Sequence, residues 1–572
     1  MKRSSTTPIS RMSSRLRLSE TGNQFLATPH AALSFSKVGG RTMYEATVSK
    51  ITQSYLEQIL FRKVVDGTEE RINFNEALKE SGFGRFQVLL IFTCGLVYFT
   101  CSASISSLSF VLPASKCDLR LSSEDMGIIY TSPLIGMIVG TFIWGPLSDT
   151  QGRRITLLVC LIIDLFATIV SSFSVNKWML LSARWLNGMG IIGATSLVFA
   201  YLGEFLDDEK RDKILFLLEL FYNFGVVYIP CISWLIIPLP VNIYLGGTFY
   251  YKSWNLFTLA TGLPGLLAIL LLLILPESPK FLLTRGEILK MSEILKKIYK
   301  INARKGKAPY SVKVLLDDPQ IEVYFGMKPV HHQGYLKELM QQYKQLFGGT
   351  TVVKVIQLSL VNFFCIFSYM SLIIWIPELL HRRSLYLEQV PKRNTAIATL
   401  CYASQYMKSH HNVNSLHEKC VQTITTDIYL KTVFICASCI PATTLLFFAL
   451  MYVPKTILVA VLMGTSGTAT MALSFVHSDY LLLGFFCVFE ASSTVIETIV
   501  FVIAVDLLPT NIIGIALATT VTCGRMAAVI SNIFIGYLVD TYCNLTFYTL
   551  AASFYSGAVV AVTLSVSLMK QT

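Results

Sequence analysis

Twelve stretches of this chain are each long and apolar enough to cross a bilayer, and that repetition limits the fold more than any other feature. A bilayer core takes about 20 apolar residues per helix. The stretches lie at 86–111, 126–147, 155–175, 178–203, 213–239, 254–275, 352–379, 429–451, 456–476, 480–505, 512–537 and 545–568. Six precede a polar island and six follow it. The chain of 572 residues is 53% hydrophobic and 14% charged, against about 25% charged in ordinary soluble domains. The expectation is an all-α polytopic membrane protein of twelve transmembrane helices in two six-helix halves.

Charge is segregated. Residues 1–85 hold thirteen Lys/Arg and eight Asp/Glu, and residues 276–351 hold thirteen and seven. We expect 1–85 to be a basic, largely disordered cytosolic tail and 86–275 the N-terminal half. A cytosolic central loop follows at 276–351, then the C-terminal half at 352–568 with an external loop at 381–428, then a cytosolic end at 569–572. Arg153 and Arg154, Lys210, Arg211 and Lys213, and the central island all fall on the side of the basic tail. Lys and Arg mark cytosolic loops, so both termini are expected in the cytosol. The net charge of +12 follows from those loops and calls for no nucleic acid. Within the island, Ile288, Met291, Ile294, Leu295 and Ile298 recur at helical spacing with lysines between them. That pattern predicts an amphipathic helix lying along the membrane interface or holding a partner. Cys117, Cys401, Cys420 and Cys543 fall in predicted external loops, where they are free to pair.

The decapeptide Gly145-Pro-Leu-Ser-Asp-Thr-Gln-Gly-Arg-Arg154 ends an uncharged run that begins at residue 126. Gly145 and Gly152 allow backbone conformations and close approaches that a side chain forbids. Asp149 suits the N-terminal end of a neighbouring helix, and Arg153 and Arg154 can fork onto carboxylates. The expected latch places Asp149 at the start of the eleventh helix and Arg153 or Arg154 on Glu204 or Glu277, with Arg211 close by. The stretch resembles the G-x-L-x-D-x-x-G-R-R signature of the major facilitator superfamily. Arg184-Trp-Leu-Asn-Gly-Met-Gly190, Pro276-Glu-Ser-Pro-Lys280 and Asp506-Leu-Leu-Pro-Thr510 resemble further motifs of its sugar and organic-ion porters, in the same order. Gly84-Arg-Phe-Gln87, Phe110-Val-Leu-Pro113, Glu204 to Arg211 and Trp234-Leu-Ile-Ile-Pro238 are similar to the synaptic vesicle glycoprotein 2 family and its insect relatives. The resemblance implies the major facilitator fold, with helices 1, 4, 7 and 10 around a central cavity. It also has departures. Cys101 and Ser104 stand where that family has acids in helix 1, and the second copy of the signature is reduced to Tyr452-Val-Pro-Lys455.

Ionisable residues inside spans are costly and so are candidates for function. Glu490 and Glu497 are seven apart, on one face of a helix and about 10 Å apart along its axis. They are candidates for binding a cation or exchanging a proton, or for pairing with Arg525. Glu219 is a candidate for the cavity or for the interface between halves. Arg184 is the cationic candidate, and Trp234 leads a set of aromatics, with Tyr222, Tyr228, Tyr369 and Trp375, that could wall an organic substrate. No nucleotide loop, metal cluster or nucleophile constellation points to an enzyme or to a cofactor. The expected activity is transport of a small organic solute, charged or neutral, by alternating access. The expected form is a monomer in the plasma membrane or in a secretory or synaptic vesicle membrane. The rival reading is a regulatory or scaffolding membrane protein that binds cytosolic partners through its tail and central loop.

Overall fold

The computed structural model describes residues 74–246, 249–303, 349–389, 399–411, 425–508 and 513–569. Twelve helices in this region are long and apolar enough to cross a membrane. Spans 1 to 6 are Arg85–Ser115, Ser123–Gln151, Arg153–Ser172, Lys177–Gly203, Lys213–Ile236 and Ser253–Ile274. Spans 7 to 12 are Val352–Glu388, Thr426–Leu450, Lys455–Leu473, Asp479–Leu507, Ile515–Leu538 and Cys543–Leu564. Large apolar side chains such as Phe142, Phe166 and Ile274 stand exposed on the outside of the bundle. Such a surface is costly in water and suits lipid. The chain is an integral multi-pass membrane protein.

Local chemistry sets the helix ends. Span 2 opens on a reciprocal cap, the Asp125 amide donating to Ser122 Oγ and the Ser122 amide to Asp125 Oδ2, which satisfies two otherwise orphaned donors. It ends at Gly152, whose φ of +108° releases the chain into span 3. Asn176 caps span 4 through the Met179 amide. Span 4 then packs closely on span 2, where a Cβ at Gly188 would lie 1.9 Å from the Pro133 carbonyl oxygen. Strands β1 (Asn242–Gly246) and β2 (Phe249–Lys252) form an antiparallel hairpin between spans 5 and 6.

Two segments differ from expectation. The helix of span 7 runs from Gly349 to Gln389, past the expected start of the external loop at 381. Its polar end is held by partners distant in sequence. The amphipathic helix forms as Ile288–Asn302, but protein rather than lipid covers its apolar face. Met291, Leu295 and Ile298 are buried in the main core, and Asn302 Nδ2 donates to the Gly82 carbonyl and to Gln87 Oε1, each at 2.8 Å. It docks on a helix at Phe74–Ser81 and on the start of span 1, so residues 74–85 belong to the fold rather than to a tail. Residues 1–73 and most of the rest of the central loop lie outside the described residues.

The two halves meet along a seam on the side opposite the decapeptide. Lys116, at the end of span 1, reaches Glu378 of span 7 at 2.7 Å. Arg382 holds the same carboxylate at 2.8 Å and Asp540 at 2.6 Å. Its remaining nitrogen donates to Ser123 of span 2 at 2.8 Å, returning to the N-terminal half. Arg383 pairs with Asp479. Phe110 stacks on Tyr429, and Tyr130 meets Trp375. Spans 2 and 11 touch backbone to backbone, since a Cβ on Gly127 would lie 2.8 Å from the Asn532 carbonyl and 3.0 Å from the Gly536 Cα. Two of the cysteines expected to pair do so on this side, as a Cys401–Cys543 disulfide. Cys117 is also disulfide-bonded, and Cys420 lies outside the described residues.

Candidate functional site

Between the halves lies a cavity of about 920 Å³. Recurring short and polar residues place it. On span 4, Thr195, Ser196 and Phe199 share a face, as do Glu219, Tyr222 and Asn223 on span 5. Span 10 contributes Thr494, Glu497, Thr498 and Phe501, and span 11 contributes Leu517, Val521 and Arg525. These spacings are one face of an α-helix. Tyr98 of span 1 and Tyr369 of span 7 complete the middle.

The cavity is asymmetric. Toward the seam it ends at Tyr222, Tyr369 and Met370, which it shares with a separate space of about 40 Å³ lined by Phe110, Pro230 and Pro377. Toward the decapeptide it reaches Lys213, Lys455 and Asp506 at the ends of their helices, where all three side chains meet solvent. The Lys455–Asp506 pair stays within the C-terminal half.

Of the expected site residues, Glu219 and Glu497 line the cavity, from opposite halves. Tyr98 donates to Glu219 Oε1 at 3.5 Å. Arg525 Nη2 stands 4.0 Å from Glu497 Oε1, and its Nε and Nη1 have no hydrogen-bond partner among the described residues. Glu490 does not line it. Span 10 is interrupted at Thr494–Val495 between helices Asp479–Ser493 and Ile496–Leu507, and of its two acids only Glu497, on the second helix, lines the cavity. Glu490 is fully enclosed behind Tyr369, whose hydroxyl donates to its Oε1 at 3.2 Å. Its Oε2 has no hydrogen-bond partner among the described residues.

Arg184 is not in the cavity either. It is fully buried inside the N-terminal half, donating to Ser107 Oγ at 3.1 Å. Nearby, Asp164 accepts from Ser104 at 2.9 Å and from Asn187 at 2.5 Å. Ser104, at an expected acid position, is thus committed to holding spans 1, 3 and 4 together. Trp234 is 45% exposed on the outside of span 5, as fits an interfacial aromatic. Among its companions Tyr222 and Tyr369 line the cavity, whereas Trp375 is enclosed and Tyr228 is turned toward the Ala260 carbonyl. Tyr98, Thr195, Phe199 and Thr498 line the cavity as well, outside the set expected from sequence. Thr195 and Phe199, four apart on span 4, and Thr498, beside Glu497 on span 10, carried a helical-spacing signal; Tyr98 on span 1 carried none.

The decapeptide residues cluster within the N-terminal half. Arg153 pairs with Asp149, donates to Ser148 at 2.8 Å and meets Glu204 at 3.3 Å. Arg154 meets Glu277 through its backbone amide, at 2.9 Å, while its guanidinium caps the Leu272 and Leu273 carbonyls. A Cβ on Gly152 would lie 2.6 Å from Glu277 Oε2, and one on Gly203 would lie 3.0 Å from Arg211 Nε. A Cβ on Gly145 would meet nothing within 4 Å, so the expected close approach is absent there. The residues just before span 11, where Asp149 was expected to dock, lie outside the described residues.

Residues 83–380 match the family model described as "Sugar (and other) transporter". The chain is 30% identical over 336 residues to synaptic vesicle glycoprotein 2B of Mus musculus, covering 56% of this chain and 49% of that protein. It is 31% identical over 317 residues to synaptic vesicle glycoprotein 2C of Homo sapiens, covering 53% and 44%. The chain thus spans about half the length of the curated relatives it matches. Its fold is similar to that of the xylose transporter XylE from E. coli in a partially occluded inward-open conformation. The TM-score is 0.56 at 17% identity, covering 85% of this chain and 97% of that one.

Proposed function

Since this chain belongs to the sugar (and other) transporter family of the major facilitator superfamily, we propose that it moves a small organic solute across a membrane by rocking its two halves about the central cavity. One observation carries this reading: a cavity walled by both halves is reached from one face while ion pairs and stacked rings close the other. That arrangement is one of the two states alternating access needs. The open face is assigned to the cytosol. The basic loops support this, as does the disulfide on the opposite face, because disulfides persist in oxidising compartments outside the cytosol. By the likeness to vesicle glycoproteins, a secretory or synaptic vesicle membrane or the plasma membrane is its place.

In the cytosol-open state the Asp149 carboxylate rests on Arg153. It engages the start of span 11 when that face closes, with Gly152, Arg153, Arg154, Glu204, Arg211 and Glu277 holding its own half rigid. Glu497, in the cavity, and Glu490, behind Tyr369, are the coupling candidates. The rival, a scaffold that binds partners through its tail, gains from one observation: span 1 offers the cavity no acid, and Ser104 is spent on packing.

Reconstituting the purified full chain into liposomes and screening organic ions and sugars for uptake separates the two. Saturable uptake of at least one solute is expected. Flux that persists unchanged in a Glu490→Gln/Glu497→Gln double variant removes the coupling role. No flux across the panel, together with tail-dependent capture of cytosolic proteins, decides for the scaffold.

A further inference from the structure

We propose that the cavity binds an organic cation, a protonated amine, seated on Glu219 against an aromatic edge formed by Tyr98, Tyr222 and Phe199. The inference rests on the transporter reading only in taking this cavity as the ligand site. Tyr98 centres the edge, its ring lying 5.0 Å from Phe199 in a T-shaped contact and 4.9 Å from Tyr222. All three rings line the cavity beside Glu219.

The charges of the cavity wall decide the sign of the ligand. At the mouth, Lys455 is spent on Asp506. On the C-terminal wall, Arg525 stands against Glu497. Glu219 faces them from the other half with no cation within ion-pair distance among the described residues, its one contact being the Tyr98 hydroxyl at 3.5 Å. Lys213 lies on the same span six residues nearer the mouth, about 9 Å along the axis, and is exposed to solvent. With both carboxylates ionised, Glu219, Glu497 and Arg525 together carry one negative charge in the middle of the cavity. A carboxylate in a partly dehydrated site needs a compensating charge, and a cation within about 6 Å of a ring centroid is also attracted by the ring face. An ammonium head fits both demands, with its organic body among Phe216, Phe501 and Val502 on the remaining wall. The volume of about 920 Å³ is that of a site for a drug-sized molecule.

Calorimetric titration of the purified full chain in detergent with phenethylamine, glucose, benzoate and a zwitterionic amino acid tests this independently of flux. Phenethylamine is expected to bind. Glu219→Gln should weaken it about tenfold or more, the loss of one charge-assisted contact, with Glu219→Asp restoring part of the affinity and the thermal midpoint of both variants near that of the parent. Tyr98→Phe should bind nearly as the parent, and Tyr98→Ala more weakly. Phenethylamine binding without uptake in liposomes keeps the cation site and overturns the transporter reading. Glucose or benzoate binding unchanged in Glu219→Gln overturns the cation site and leaves the transporter reading standing. Binding of the amino acid but not of phenethylamine also overturns it, because the ligand then needs Arg525 as much as Glu219.

Discussion

Gly152 shows how one residue can carry two constraints. Its φ of +108° is one that side chains avoid, and its missing Cβ leaves room for Glu277, whose other oxygen takes the Arg154 amide. Gly152→Ala should therefore destabilise the protein by about 1–3 kcal/mol, read as a lower thermal midpoint in detergent. Gly145→Ala should leave it unchanged or raise it slightly, as alanine favours helix over glycine by about 1 kcal/mol and the site is open. Equal losses in both variants would contradict this division. The two glycines look alike in sequence, which shows that a residue lacks a side chain but not what lies where the Cβ would be. Glu490 and Glu497 teach the same lesson. Their spacing was legible, but the break between them was not, since neither Gly nor Pro marks it. The hydroxyls of the Ser-Ser-Thr run lie at the break, Ser492 bonding back to the Val488 carbonyl at 2.7 Å. Such back-bonding bends helices.

At the scale of elements, periodicity found the Ile288–Asn302 helix but not what covers it. An apolar stripe beside a membrane reads the same whether lipid or protein lies against it. The deciding contacts come from residues more than two hundred positions away, with the Phe86 amide on Asn302 Oδ1 at 3.1 Å. Docked in this way, the helix ties the central loop to span 1. Leu295→Asp, or Asn302→Ala more mildly, should loosen it, read as faster protease cleavage within 286–303 in the purified protein. A cleavage rate equal to that of the parent in Leu295→Asp would mean that the apolar face is covered by something other than the protein. Span 7 gives the converse case. The sequence places residues from 381 onward in an external loop, yet Arg382 and Arg383 continue the helix, satisfied by Glu378, Asp540 and Asp479.

For the whole molecule, the twelve helices were legible because a bilayer imposes one length and one polarity on every span, and the halves were legible from the island between them. Which face is open was not, since it depends on contacts between halves rather than within them. The central claim is that these halves rock, with the Lys116–Glu378–Arg382 seam holding the state described. Removing Lys116 leaves Glu378 its bond to Arg382, so Lys116→Ala should weaken the seam without unfolding it. The change is about 1.5–3 kcal/mol, the worth of one charge-assisted hydrogen bond. The most direct test is pulsed electron paramagnetic resonance between spin labels at the exposed positions Trp178 and Tyr480 on the seam side, and Thr150 and Tyr452 on the other. In the parent and in Asp149→Asn, the seam-side pair should show one short distance and the opposite pair one long distance. In Lys116→Ala a second population should appear, longer on the seam side and shorter on the other. Distances in Lys116→Ala that match the parent on both sides, or that lengthen on both together, would contradict the account.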